Sequence, residues 1–373
     1  MRVGLDLLFL TPHESGGRES YARELIPEML AQNPELELVA FVNREAGAQL
    51  ARDLSKEVRT VVLPISERNR VGWAVGELLL VSVAAARAKV ELVHSMANFA
   101  PSWGPFRRVL TLHDLQYKAL PELLSWPMRV GTSALVSFGA HRADRIIAVS
   151  RAGREEIVAG LGIEGDRIDV IPNGVRPPPS SPPSLEIAAR LGVEGRAIAL
   201  TVASNLPHKN LPVLIDALAL IDPPRRPVLV LLGYGTDDPQ LAARADAAGV
   251  SEDLRLLGAR PISELESLYA LARCLVLPTL HEGFGLPVLE AMARSLPVAC
   301  SGIPALREIG GEAALYFDPR APEQIAACIA DLTFGDRVRD RAIELGHRQA
   351  AGFSWRGAAS ATLETYSRVL LER

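Results

Sequence analysis

Short apolar runs alternate along this chain with longer amphipathic stretches. The runs predict strands at Arg2–Leu8, Leu36–Phe41, Arg59–Leu63, Val90–His94, Val109–Leu112, Arg145–Val149 and Ile168–Ile171. Glu19–Leu30, Gly72–Ala88 and Arg151–Ala159 read as helices between them, with Ser150 as the cap of the last. Near residue 180 the pattern stops. Pro177–Ser184 holds five prolines in eight residues, which suits neither a helix interior nor a central strand and reads as a linker. Asn173-Gly174 reads as a turn leading into it. The alternation then restarts, with strands predicted at Ala197–Val202, Val228–Leu232, Leu254–Leu257, Cys274–Leu277, Pro297–Cys300 and Ala313–Phe317. Helices are predicted at Leu211–Ile221, Gln240–Ala248, Ile262–Ala272 and Pro287–Arg294, and everything from Ala321 onward reads as helical. Such alternation implies parallel strands with crossover helices, hence two doubly wound α/β domains. In such sheets ligands bind at the carboxyl ends of the strands, and two facing domains make a cleft.

Composition narrows the function. The 373 residues are 48% hydrophobic and 23% charged, which excludes wholesale disorder. A formal charge of −4 argues against generic nucleic-acid binding, which needs a basic face. Cys274, Cys300 and Cys328 follow no metal or disulfide spacing and read as core residues in a reducing compartment. No apolar run is long enough for a membrane span. The faintly signal-like start is broken by Asp6, so a buried first strand and a cytoplasmic location are expected. The chain has only four lysines, Lys56, Lys89, Lys118 and Lys209, which gives each slightly more weight.

Candidate chemistry is densest in Pro278–Ala293, which follows a predicted strand. Gly283 and Gly285 allow a ligand close to the backbone. Pro287 suits the first turn of a helix, whose free N–H groups favour a phosphate. Glu282 precedes that turn and Glu290 lies inside it. Ionised carboxylates only accept hydrogen bonds, so sugar or ribose hydroxyls are natural partners; a corner with two solvated acids is the alternative. Lys209, in Ala203–Leu211, follows another strand. It can pair with a diphosphate, although a solvated lysine near a helix start is the plainer account. His113-Asp114 ends a strand in the first half, where Asp114 would fix the loop or the imidazole tautomer. Gly16 and Gly17 lie in Glu14–Tyr21, which lacks the spacing of a dinucleotide fingerprint and is otherwise an ordinary helix entry.

Glu282 and Glu290, with seven residues between them including Gly-Phe-Gly-Leu-Pro, resemble the signature of the retaining glycosyltransferases of family 4, which have the GT-B fold. Ala291-Met292-Ala293, Pro297-Val298-Ala299, Pro304–Glu308 and Ala313–Pro319 agree with it, and the resemblance covers nearly the whole chain. It implies an N-terminal acceptor-side domain over 1–178, a nucleotide-sugar-binding domain over 179–352 and a helix over 353–373 returning to the first. It also implies transfer of a hexose from a GDP- or UDP-linked sugar to a saccharide or lipid-linked acceptor, without cofactor or metal. Catalytic roles pass to His113, Lys209 and Glu282. Donor binding passes to Gly16, Gly17, Ser204, Lys209, Gly233, Leu257, Glu282, Gly283, Phe284, Gly285, Leu286 and Glu290, with Glu282 on the sugar and Glu290 on the ribose. Many family members have an arginine at the position of Ser204, so the second cation for the diphosphate is unassigned here. Thr111–Leu115 and Pro207–Leu211 resemble bacterial mannosyltransferase-type members acting on surface polysaccharide.

Two other readings stand beside this one. A noncatalytic sugar-nucleotide-binding relative would be expected to lose the donor residues, and Glu282, Glu290, Lys209 and His113 are present. A glucan phosphorylase would need a longer chain. Arg68, Arg70, Trp73, Arg87 and Lys89 bracket one apolar helix, and Trp126, Met128 and Arg129 lie on another segment. Such surfaces could meet lipid at the inner membrane face; a buried crossover helix is the other account.

Overall fold

A computed structural model describes residues 1–11, 16–47, 57–66, 70–179 and 186–372 of the chain, without the side chains of 70 and 71. It divides into two compact units, Met1–Gly174 with Ser354–Arg373 and Val175–Phe353. Arg68, part of the Glu14–Tyr21 loop and most of the Pro-rich linker lie outside the described residues.

Unit 1 is built on seven parallel strands: β1 (Arg2–Leu7), β2 (Glu37–Val42), β3 (Val58–Val62), β4 (Leu92–Ser95), β5 (Arg107–Leu112), β6 (Arg145–Ala148) and β7 (Ile168–Val170). Their order is β3-β2-β1-β4-β5-β6-β7. The strands read as apolar runs because helices cover both faces of the sheet. Strand β5 begins two residues before the apolar run. Arg107 and Arg108 extend it, because the Asp144 carboxylate accepts from the Arg107 guanidinium at 2.8 Å and from the Arg108 backbone N–H at 2.7 Å. The order reverses between β1 and β4, which makes the carboxyl ends of those two strands the topological switch point.

The helices of unit 1 include α1 (Gly17–Gln32), α2 (Arg70–Val75) and α3 (Val81–Ala88). The expected helix Gly72–Ala88 is not regular, since a π-helical turn at Gly76–Leu80 separates α2 from α3. That turn begins at Gly76, which the packing of Ile65 requires, since a Cβ there would lie 2.0 Å from Ile65 Cδ1. Next come α4 (Gln116–Ala119), α5 (Trp126–Arg142) and α6 (Arg151–Leu161), the last capped by Ser150 Oγ, which accepts from Gly153 N at 2.9 Å.

Unit 2 holds a six-stranded parallel sheet, β8 (Ile198–Val202), β9 (Val228–Leu232), β10 (Leu254–Leu256), β11 (Cys274–Leu277), β12 (Val298–Ser301) and β13 (Ala314–Phe317). The order is β10-β9-β8-β11-β12-β13, with the switch point between β8 and β11. Strand β9 is buried at all five positions, and its leucines pack on α8 (Pro212–Ala219) through Leu214, Ile215 and Leu218. Helices α7 (Glu186–Leu191), α9 (Pro239–Ala247), α10 (Ile262–Leu271), α11 (Leu286–Ala293), α12 (Pro304–Gly310), α13 (Pro322–Phe334) and α14 (Asp336–Ala350) complete it. Helix α15 (Trp355–Leu371) belongs to unit 1, where Gln32 on α1 donates to the Arg356 carbonyl at 2.8 Å. Gly174 permits its entry, since a Cβ there would lie 2.0 Å from the Trp355 nitrogen. Cys274 and Cys300 are buried and Cys328 partly so; burial holds all three thiols protonated well above neutral pH.

Candidate active site

The loops after β8 and β11 meet at the switch point of unit 2. Leu280 N donates to the His208 carbonyl at 2.7 Å, and the Thr279 hydroxyl reaches the same carbonyl at 3.0 Å. This lacing brings Lys209 and Glu282 into a direct ion pair, each side chain keeping less than a fifth of its surface exposed. Asn210 takes a left-handed turn at φ 54° and donates to the Pro319 carbonyl at 2.7 Å, which fixes the backbone just after Lys209.

Gly285 caps α11 at φ 109°, a conformation that strains any residue with a side chain. A Cβ there would also lie 2.4 Å from Leu306 Cδ2. Gly283 and Phe284 are buried, Phe284 against the Phe353 ring at 6.0 Å, whereas Leu286 is partly exposed. One turn into α11, Glu290 accepts from the Tyr269 hydroxyl at 2.8 Å. Burial raises the Glu290 carboxyl above its usual range, while that hydrogen bond and the nearby Arg294 pull it down. Arg294 lies over the Tyr269 ring at 5.2 Å and forks onto both oxygens of Glu266 at 2.6 Å. Tyr269, Glu266 and Arg294 escaped the sequence analysis. The one hint was spacing, with Glu266 and Tyr269 on one face of α10 and Arg294 four residues after Glu290.

The remaining donor candidates of unit 2 follow neighbouring strands. Ser204, Gly233 and Leu257 lie just beyond the carboxyl ends of β8, β9 and β10. Gly233, at φ 148°, is required by a close backbone crossing, because a Cβ would lie 2.1 Å from the Ala203 carbonyl oxygen. Leu257 is buried and Ser204 partly exposed.

In unit 1, His113 is buried just past β5. Its backbone N–H donates to Asn98 Oδ1 at 2.8 Å, and its Nε2 meets the Met96 carbonyl at 2.9 Å. A carbonyl only accepts, so Nε2 carries the proton and Nδ1 keeps its lone pair. Met96 therefore sets the tautomer. Asp114 fixes the loop instead, accepting from Gln116 N at 3.1 Å. Burial lowers His113 to about 4, with the Met96 bond opposing and Arg18 adding to the fall, so the ring is neutral near pH 7. Tyr21 stands edge-on to it at 5.0 Å. Behind Tyr21, a buried chain runs through the Thr111 hydroxyl and the His94 ring to the Tyr366 hydroxyl of α15, with spacings of 3.1, 2.8 and 2.6 Å. Gly16 caps α1 at φ 56° and Gly17 begins the helix, both exposed; among the described residues beyond its chain neighbours, no atom lies within 4 Å of a Cβ built on Gly16. Asn43 holds the segment leading there, donating to the carbonyls of Leu8 and Leu10 at 2.9 and 2.7 Å. Among the described residues no cluster suited to a metal ion occurs.

Glycosyl transferases group 1 match residues 185–349, and Glycosyltransferase Family 4 matches residues 15–177. An O-antigen chain mannosyltransferase B of Escherichia coli is 32% identical over 272 residues, 70% of each chain. The chain belongs to glycosyltransferase family 4. This glycosyltransferase spans about half the length of other curated relatives, which include a D-inositol 3-phosphate glycosyltransferase of Nocardia farcinica at 33% identity over 244 residues. Its fold is similar to that of a sucrose-phosphate synthase from Thermosynechococcus elongatus, with a TM-score of 0.85 at 19% identity and full coverage of both chains. The fold of HepE from Anabaena, solved with UDP-glucose, gives 0.80 at 18% identity, covering 99% of this chain and 100% of the other. The family 4 glycosyltransferase thus has the α/β GT-B fold.

Proposed function

We propose that this glycosyltransferase moves a hexose, mannose in the favoured case, from a nucleoside diphosphate sugar to an acceptor hydroxyl with retention of configuration and without a metal ion. The reading rests on Lys209 and Glu282 standing together at the switch point of unit 2, beside the glycine-capped start of α11. Cleaving the anomeric bond builds negative charge on the diphosphate and positive charge on the sugar. The ammonium and the free N–H groups of the α11 start would stabilise the first. Glu282 would accept from donor-sugar hydroxyls, and Glu290, held by Tyr269, from the ribose. His113, neutral with Nδ1 as acceptor, would take a hydrogen bond from a sugar hydroxyl in unit 1. Mannose and polysaccharide synthesis are supported by two Escherichia coli relatives, the O-antigen chain mannosyltransferase B and the serotype-specific mannosyltransferase WbdA. The test is a calorimetric panel of GDP, UDP, ADP and their hexose adducts, followed by transfer assays with the sugar nucleotide that binds. Binding that is unchanged in Glu282→Ala and Lys209→Ala would reject this site.

We also propose peripheral contact with an anionic lipid surface through α5. No helix among the described residues is long and apolar enough to cross a membrane. Val136, Gly139 and Ala140 bury one face of α5, as a crossover helix requires, yet its outward face presents Trp126, Val130 and Phe138, Trp126 at 68% exposure, which that account leaves unexplained. The helix carries no acid, and Arg129 and Arg142 supply positive charge. For the other helix the burial account fits better at Trp73, which packs edge-on against Phe99 at 4.6 Å.

A further inference from the structure

Two carboxyl groups that the proposed chemistry does not use are buried at the switch point of unit 1. Asp6, on β1, is 2% exposed, and Glu77, on the π-helical turn, 4%. Each is close enough to shift the other's ionisation. No lysine, arginine or histidine among the described residues pairs with either. The groups around Asp6 are hydrogen-bond donors: Leu8 N at 3.3 Å on Oδ1 and Ser95 Oγ at 3.0 Å on Oδ2. The buried Glu77 Oε2 atom is left without a hydrogen-bond donor among the described residues. Two ionised carboxylates cannot share such a site, since neither can donate and their repulsion is undiminished by water.

The pair sits under elements that matter. Leu8 begins the segment that leads toward Gly16 and Gly17. Ser95 is followed by Met96, whose N–H approaches the Asp6 carbonyl at 3.4 Å and whose own carbonyl holds His113 Nε2. The π turn that delivers Glu77 is an irregularity of a kind that recurs at functional sites. We propose that Glu77 is a positioning residue: it shares one proton with Asp6, and the hydrogen-bonded pair locks the ends of β1 and β4 so that Met96 holds His113 in its Nε2–H tautomer.

Burial and the Asp6 charge both raise the Glu77 carboxyl well above its usual range, and burial raises Asp6 too. A group raised on folding stabilises the fold while protonated and loses that contribution as pH climbs through its folded value. Stability should therefore decline as pH rises from the ordinary carboxyl value of 4.5 toward the raised folded one, and transfer should fall as the pair ionises. The clause that concerns transfer rests on the function proposed above, whereas stability and protonation do not.

The experiment compares the full-length wild type with Glu77→Gln and Glu77→Ala from mildly acid to alkaline pH, by thermal melting and by kcat and KM for transfer. The amide introduced by Glu77→Gln can donate the same hydrogen bond but cannot ionise. That variant should keep neutral-pH kcat within about twofold and lose the fall of both stability and kcat with rising pH, whereas Glu77→Ala should lose kcat about tenfold with little change in KM. A fall with rising pH in Glu77→Gln equal to that of the wild type overturns the proposal. So does a tenfold loss in Glu77→Gln at neutral pH. If Glu77→Gln does not fold, infrared titration of the wild type decides. A buried carboxylic-acid carbonyl band that disappears at alkaline pH supports the shared proton, and its absence at neutral pH refutes it. Should no sugar nucleotide be turned over while the stability and infrared results hold, the function reading fails and the proton pair stands.

Discussion

Lys209 and Glu282 neutralise each other at the carboxyl ends of β8 and β11. Each was assigned a ligand partner from the sequence, the diphosphate for one and the sugar for the other. The ion pair shows what a donor must do: insert its phosphates and hydroxyls between two groups already matched in charge. Their retained exposure, 19% and 15%, leaves the ligand a way in. Lys209→Ala should cut kcat about 100-fold or more, the usual effect of losing one donor to a developing anion. It should also lower stability by up to about 3 kcal/mol, because a largely buried carboxylate loses its counter-charge. The double variant Lys209→Met/Glu282→Gln should melt higher than Lys209→Met alone. A double variant less stable than either single one would mean that the two side chains do not interact in solution.

The second prediction concerns Tyr269, whose hydroxyl donates to Glu290. Tyr269→Phe removes a hydrogen bond to an ionisable group, worth about 1.5–3 kcal/mol where the acceptor is charged. The hydrogen bond holds the Glu290 carboxyl down against the raising effect of burial. Without it, Glu290 takes up its proton at higher pH, and nucleotide affinity should fail earlier as a titration moves toward acid. KM for the donor should rise about tenfold or more, with kcat altered less. Calorimetry of nucleotide binding across pH reads this directly; superimposable affinity profiles for wild type and variant would remove Glu290 from the ribose site.

The strands were legible because parallel sheets bury both faces, so β8 and β9 stand out as unbroken apolar runs. The Lys209 loop and the Glu282–Glu290 corner were legible for a related reason. Both lie immediately after such runs, where the chain must turn and function concentrates. What remained hidden depends on contacts between distant segments. Nothing local in Met96 marks its carbonyl as the acceptor for His113, and nothing local in Gly174 marks it as the point where Trp355 crosses. Asp6 was read only as a charge that interrupts an apolar run; its meaning required Glu77, 71 residues away, in a π turn that begins at Gly76 against Ile65. Of the two roles expected of Asp114 it takes the loop, and the tautomer falls to Met96, because a tautomer is set by whichever acceptor the fold brings near.

A third prediction follows from His94 and His113, both buried and neutral, with burial lowering them to about 3 and about 4 from the ordinary 6.5. A base lowered on folding contributes stability that is present above its unfolded value and is lost as pH falls toward its folded one. The fold should therefore weaken between about pH 6.5 and 4, as the unfolded chain takes up protons that these rings refuse. The raised carboxyls Asp6, Glu77 and Glu290 act in the opposite sense, so the histidine share is isolated by substitution. His94→Gln, which can still reach Thr111 and Tyr366, should flatten the acid fall in melting temperature. A slope identical to the wild type would show that His94 is not the group refusing the proton.

The last prediction tests the outward face of α5. Trp126 and Phe138 stand exposed near the two ends of a helix without acids, and Arg142 lies over the Phe138 ring at 5.0 Å. A bilayer interface would receive the aromatic rings at the headgroup boundary while the arginines meet anionic phosphates, each basic residue adding about 1 kcal/mol near such a surface. The protein should float with vesicles containing phosphatidylglycerol and not with neutral phosphatidylcholine vesicles, and high salt should weaken the association. Trp126→Ser/Phe138→Ser should abolish flotation while leaving the melting temperature within about 2 °C, since both side chains are exposed and support no core. Transfer to a water-soluble acceptor should be unaffected, because neither residue lies near His113 in sequence or on its strand. If the double variant floats as the wild type does, or if the wild type ignores anionic vesicles altogether, this face has no lipid partner. Concentration-dependent dimerisation that the same two substitutions abolish would instead assign the surface to a second copy of the chain.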